Sequence, residues 1–351
     1  MFIQKMHSLI SEDTKIHNEY KLVIYLYQCF VEDKDIVIDF HLEGPCCSRN
    51  NLYNILDEFC NATKFNKSRI KIYTGNALER HSEYEIIFKP EYWYEIKLIN
   101  DWLKNNRLNI DTKPLKHFGI FIGRSSWSRL WASTILYRYK DKTLQTFHSG
   151  YDQNYVVSKS NNTTDFLELD ELNRFRCDII PEVTQFLNHC PINQINDLDV
   201  IKNTKMFIAA NNNYCFPIQH PANLNILKWY NDICIDVICE TRTVGNVFFV
   251  TEKTWRCIIA KKPFIIVGAP HFLNNLKKLG FKTFNDYWNE GYDEYPPSHR
   301  IKEIEKLINT LAKKPIIEMH NLLTQMQPTL EHNYQTFVSL TYNKIQEIFN
   351  E

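Results

Sequence analysis

Residues 247–268 read VFFVTEKTWRCIIAKKPFIIVG, and the chemistry begins where the first apolar run stops. Thr251 is placed to cap a helix, which leaves Glu252 and Lys253 in its first turn. A carboxylate suits the positive end of a helix; an ammonium is disfavoured there by a few tenths of a kcal/mol. Lysine at such a position makes sense if an anion is to be met, with helix N–H groups, dipole and ammonium converging on one phosphate. Glu252, an acceptor only, could hold two vicinal hydroxyls such as those of a ribose. The competing reading is an exposed Glu-Lys pair that solvates the helix.

Two further constellations carry reactive groups. In HFGIFIGRSSWSRL, residues 117–130, a strand runs into a serine-rich turn with arginines at 124 and 129. Arginine can fork two phosphate oxygens where lysine cannot; surface arginines at a strand–helix turn are the alternative. In IDFHLEGP, residues 38–45, Asp39, His41 and Glu43 alternate at a strand end, and each could serve as a general base. A solvated strand terminus turning at Gly44-Pro45 is the plainer account. His41, Cys46, Cys47 and Cys60 contain no C-x-x-C pair, and adjacent cysteines ligate one zinc awkwardly, so no metal is expected. Asp197-Leu198-Asp199 resembles the D-x-D of metal-dependent transferases but reads better as a helix cap in a polar run.

Composition removes other classes. Only nine glycines occur, with no G-x-G-x-x-G, Walker A loop or G-x-S-x-G, and H-E-x-x-H is missing. Any phosphate must therefore be met by side-chain cations and helix N-termini. Net charge is zero, which gives no general nucleic-acid-binding face. The ten cysteines are scattered, several inside apolar runs, and read as small buried hydrophobes rather than a disulfide framework. No stretch has the roughly 18 apolar residues of a membrane span, and residues 1–20 hold no signal-peptide core. The expectation is a soluble, cytoplasmic protein without a transmembrane segment.

The elements that must position these residues alternate. Strands are expected at 21–29, 35–40, 69–74, 84–88, 117–122, 145–148, 205–209, 233–238, 247–250 and 263–267. Helices are expected at 50–60, 95–105, 127–138, 222–230 and 252–260, with a helical tail over 300–323 and 329–349. This is an α/β pattern with parallel sheets. At 351 residues two domains are expected, and the polar stretch NNRLNIDTKP divides the chain into 1–112 and 113–351. Ligands of open α/β sheets bind at the C-terminal ends of strands.

The segment FFVTEKTWRCIIAKKPFIIVG resembles the signature of the α1,3-fucosyltransferase family. HFGIFIGRSSWSRLWASTILYRYK looks like that family's earlier strand–turn–arginine–helix element. GFKTFNDYWNEGYDE, at 280–294, is similar to a segment of viral and bacterial glycosyltransferase-like proteins. The resemblance covers roughly 115–270. It implies two Rossmann-like domains facing a cleft, the GT-B architecture, with the helical tail appended. It further implies a metal-independent, inverting transfer of fucose from GDP-fucose to a glycan hydroxyl. Lys253 and Arg129 would hold the diphosphate, Glu252 the ribose hydroxyls behind the Thr251 cap, and Phe249 would stack near the base. No cofactor beyond the nucleotide-diphosphate sugar as co-substrate is implied, and no nucleic acid is expected as partner. Glu43 is chosen as the base because it immediately precedes the Gly44-Pro45 turn, with Asp39 and His41 on the same side by period-two alternation. An inactive glycan- or nucleotide-binding module, or a transferase using another nucleotide sugar, is the alternative.

Overall fold

The computed structural model describes residues 4–5, 15–40, 52–90, 96, 100, 101, 103, 114–122, 126–147, 172–190, 192–194 and 224–350. The chain forms two compact units. Unit 1 takes residues 1–93, 244–249 and 340–351; unit 2 takes 94–243 and 250–339. The last helix, assigned by sequence to the second domain, therefore belongs with the first.

Unit 1 carries a parallel sheet in the order β1-β2-β3-β4, made of Gln4–Lys5, Ile36–Phe40, Ile70–Thr74 and Glu85–Phe88. Helices α1, Lys15–Val31, and α2, Leu52–Thr63, supply the rest of its core. Residues 21–29, expected as a strand, lie inside α1. The reason is the spacing of the buried positions: Leu22, Tyr25, Leu26 and Cys29 fall on one helical face and pack with Ile36, Ile38, Leu56, Phe59, Ile70 and Ile72. Burying each such aliphatic side chain contributes about 1.5–3 kcal/mol. The helix stops at Asp33, whose φ of 49° is left-handed. There the Asp33 N–H donates to the Phe30 carbonyl at 3.2 Å and the Lys34 N–H to that of Cys29 at 2.8 Å, a Schellman cap.

Two distant segments complete unit 1. The Asn76 side chain donates to the Asn246 carbonyl at 3.1 Å and accepts from the Phe248 N–H at 3.0 Å. The Ala77 N–H donates to the Phe248 carbonyl at 3.1 Å. Residues 247–250, expected as a strand, join no sheet; the Phe248 N–H and carbonyl are spent on the Asn76 side chain and the Ala77 N–H.

Unit 2 carries a five-stranded sheet in the order β7-β6-β5-β8-β9. The strands are β5 Lys116–Ile122, β6 Thr143–Phe147, β7 Ile192–Asn193, β8 Ile233–Cys239 and β9 Phe264–Val267; only the β6/β7 pair is antiparallel. Every residue of β8 and β9 is buried, as parallel strands covered on both faces must be. Helix α3, Trp127–Tyr137, connects β5 to β6, and α4, Ile180–Leu187, follows β6. The expected helix at 222–230 is the 3-10 segment Leu224–Asp232. Helix α5, Glu252–Ile259, connects β8 to β9, and α6 covers Phe272–Lys278. The helical tail divides into α7, Pro297–Ala312, α8, Ile316–Ser339, and α9, Tyr342–Asn350, the last in unit 1. The break between α7 and α8 falls at Pro315, which has no N–H to continue a helix. The 280–294 segment packs Phe281, Phe284, Trp288 and Tyr292 inward. Asn333 of α8 clasps its Lys282 backbone from both sides, at 2.7 and 2.8 Å.

Candidate functional site

β5 is the central strand of unit 2. From it the chain moves through α3 to β6 on one side, and later returns to β8 on the other. The strand order reverses between β5 and β8, the place where open α/β sheets gather functional side chains. Arg129 rides on α3, Glu240 stands at the end of β8, and Thr251, Glu252 and Lys253 begin α5.

The centre of this arrangement is Glu240, 1% exposed. It accepts the Thr251 hydroxyl at 2.6 Å, the Thr254 hydroxyl at 2.5 Å and the Thr251 N–H at 3.3 Å. Thr251 is the residue before the helix, as its sequence position predicts, but its hydroxyl makes no capping bond to the helix and turns to Glu240 instead. The Lys253 ammonium sits 2.9 Å from the Glu252 carboxylate and donates to the Thr251 hydroxyl oxygen at 2.9 Å. Burial pushes the Glu252 carboxyl up, but Lys253, Arg256 and Arg129 outweigh it and hold the group below its ordinary value. Glu252 and Lys253 therefore neutralise each other inside the protein, rather than forming an exposed pair, and Arg129 contributes to the same field. Phe249 belongs to unit 1, where it is half-buried.

A second buried group lies deeper. Asp236 of β8, beside Gly119 in register, accepts the Tyr230 hydroxyl at 2.8 Å. Burial raises its carboxyl to about 7, against the opposing pull of Tyr230 and Arg256. Sequence reasoning missed Glu240, Asp236, Tyr230 and Arg256. The available signal was two acids inside the apolar run ICIDVICE, one mid-strand and one at its end.

Of the other expected residues, Asp39 and Cys60 are described. Asp39 is buried in β2 of unit 1, with the Lys89 ammonium 3.8 Å away. Cys60 is a free, buried cysteine of α2. His41, Glu43, Cys46, Cys47, Arg124, Asp197 and Asp199 lie outside the described residues, as do the strand expected at 205–209 and most of the helix expected at 95–105. Among the described residues no group of three His, Cys, Asp or Glu side chains is placed to hold a metal ion, and no helix is long and apolar enough to cross a membrane.

A family model described as "Med18 protein" matches residues 61–348. No curated protein and no solved structure matches the chain. The family match corrects the reading drawn from the Thr-Glu-Lys segment. The α1,3-fucosyltransferase and glycosyltransferase-like assignments, the transferase activity, and the nucleotide-sugar donor and glycan acceptor as partners are all overturned by it. The geometry shows what the motif does locally. Its threonine fastens the start of α5 to Glu240 at the end of β8, its glutamate and lysine pair with each other, and the proline-led run after it is the buried strand β9.

Proposed function

The chain belongs to the Med18 protein family, and from that premise we propose that it acts as a subunit of the Mediator complex in transcription regulation, through protein contacts rather than catalysis. The observation that carries this reading is the extent of the match, which runs over most of the chain, from within α2 to within α9. The internal pairing of Glu252 with Lys253, and the use of Glu240 as a structural acceptor, agree with it: these charges serve the fold. A nuclear place of action follows from this reading, in place of the cytoplasm.

The test is purification of the tagged chain from its native cells, with mass spectrometry of what accompanies it. The expected result is recovery of other Mediator subunits in fixed proportion and enrichment in the nuclear fraction. Recovery of the chain alone, as a species of its own mass, would overturn the proposal.

A further inference from the structure

Helix α1 is apolar on two roughly opposite sides. Leu22, Tyr25, Leu26 and Cys29 enter the unit 1 core. Val23, Ile24, Tyr27, Phe30 and Val31 are 39, 40, 47, 40 and 79% exposed. At about 100° per residue these five form one stripe about 120° wide on the outer face. They are five of the nine large hydrophobic side chains exposed among the described residues; the other four, Leu115, Tyr295, Ile317 and Val338, are scattered. A helix apolar all round is normally covered all round; among the described residues this one is covered on its inner side, while the outer stripe stays partly open, the rings of Tyr27 and Phe30 meeting Phe59 edge-on at centroid distances of 5.6 and 6.4 Å.

The shape and chemistry of the stripe select its occupant. Val23, Tyr27 and Val31 stand four residues apart and make the i, i+4, i+8 ridge by which helices pack. An open groove of about 370 Å³ follows it, bordered by Val23, Ile24, Tyr27, Gln28, Val31 and Glu32. Glu32 is paired with Lys34 at 2.5 Å, so the groove's border carries no net positive charge. That argues against an anionic membrane, for which an amphipathic helix presents lysines and arginines. The exposed apolar area is on the order of 400 Å², the size of a functional patch. It is about half of the roughly 800 Å² per partner that a stable interface between two copies buries. It suits one helix laid alongside, as one contact within a larger assembly.

We infer that the outer stripe of α1, centred on Tyr27, is the docking ridge for an amphipathic helix of another subunit. The inference rests on the reading of the chain as an assembly subunit. It goes beyond the family, because α1 precedes the matched residues 61–348.

The experiment places the photo-cross-linker p-benzoylphenylalanine at position 27 of the full chain in its native cells. The tagged chain is purified after irradiation, and the cross-linked peptides are sequenced. The expected result is one peptide of another subunit with apolar residues at three- and four-residue spacing. The double variant Ile24→Glu, Val31→Glu should lower recovery of that subunit at least tenfold while keeping the wild-type circular-dichroism melting curve, since both side chains are exposed and, unlike Tyr27, neither packs against Phe59 by its ring. Cross-links confined to this chain, to a second copy or to lipid, or none at all, would overturn the inference, as would unchanged recovery with the double variant. If other Mediator subunits accompany the chain but position 27 captures none of them, the ridge falls and the subunit reading stands. If position 27 captures a helix from a protein outside Mediator and no Mediator subunit accompanies the chain, the ridge keeps its helix and the subunit reading falls.

Discussion

Glu240 is the residue on which the start of α5 depends. Three donors converge on its carboxylate, two hydroxyls and one N–H, all withdrawn from water. Removing a buried acceptor strands its donors at about 1–3 kcal/mol for a group left unsatisfied. Glu240→Ala should therefore cost about 3 kcal/mol in urea unfolding, and Thr254→Val, which removes one of the three donors, about 1 kcal/mol. Equal, small losses for both would show that Glu240 is not the anchor. Asp236 makes a different prediction. Its folded carboxyl titrates at about 7 against an ordinary value of 3.8, so between those values the folded state holds a proton that the unfolded state has released. Stability is then highest below pH 4 as far as this group is concerned, falls as pH rises towards 7, and levels off above it. Burial raises the Glu290 and Asp293 carboxyls as well, and they act in the same direction. Asp236→Asn, which cannot ionise, should flatten the pH 4–7 slope of the urea midpoint. An unchanged slope would remove Asp236 as its source.

At the scale of elements, Gly119 shows how tightly the central strand is held. A Cβ there would lie 2.4 Å from Ile233 Cδ1 and 3.2 Å from Ile233 Cγ2, the neighbouring strand's first residue. Gly119→Ala should cost about 1–3 kcal/mol by overpacking. Ile233→Val removes the closest atom, so the double variant should cost less than the sum of the two single ones, by about 1 kcal/mol in a double-mutant cycle. Strict additivity would mean the strand relaxes elsewhere. In this sheet β7, Ile192–Asn193, was not expected, but β8 and β9 were legible in the sequence because parallel, doubly covered strands are short, largely apolar runs, and ICIDVI and PFIIV are such runs. KLVIYLYQC was not, for the reason that makes α1 interesting. A helix apolar on two sides loses its 3.6-residue period and, rich in Val, Ile and Tyr, imitates a buried strand. VFFV at 247–250 misled in the opposite way: its apolar side chains are strand-like, but its backbone partner, Asn76, lies about 170 residues away and leaves no local signal. The Thr-Glu-Lys cluster was legible as a charged helix start, and Thr251 stands where it was expected. Its partner Glu240 was not, because an acid at a strand end looks like any solvated terminus until the fold buries it.

At the scale of the whole molecule, the two units are not two consecutive lengths of chain. Unit 1 is closed by residues from the far end, because Phe349 of α9 packs against Phe88 of β4 and Phe248, at ring-centroid distances of 5.9 and 5.3 Å. Gln346 donates to the Phe88 carbonyl at 3.2 Å, and Arg80 donates to the Phe349 carbonyl. The helix that carries Phe349 is only nine residues long, too short to be stable in isolation, so its packing must hold it. Phe349 is 4% exposed, and truncating a buried phenylalanine to alanine costs about 3–5 kcal/mol. That loss should be confined to the unit that contains the cavity. In hydrogen exchange of Phe349→Ala, amides of β3, β4 and α9 should exchange at least tenfold faster, while those of β8 and β9 keep their wild-type protection. Uniform acceleration across both units would mean that they unfold as one cooperative body. No change in either would mean that α9 is held by its two backbone contacts alone.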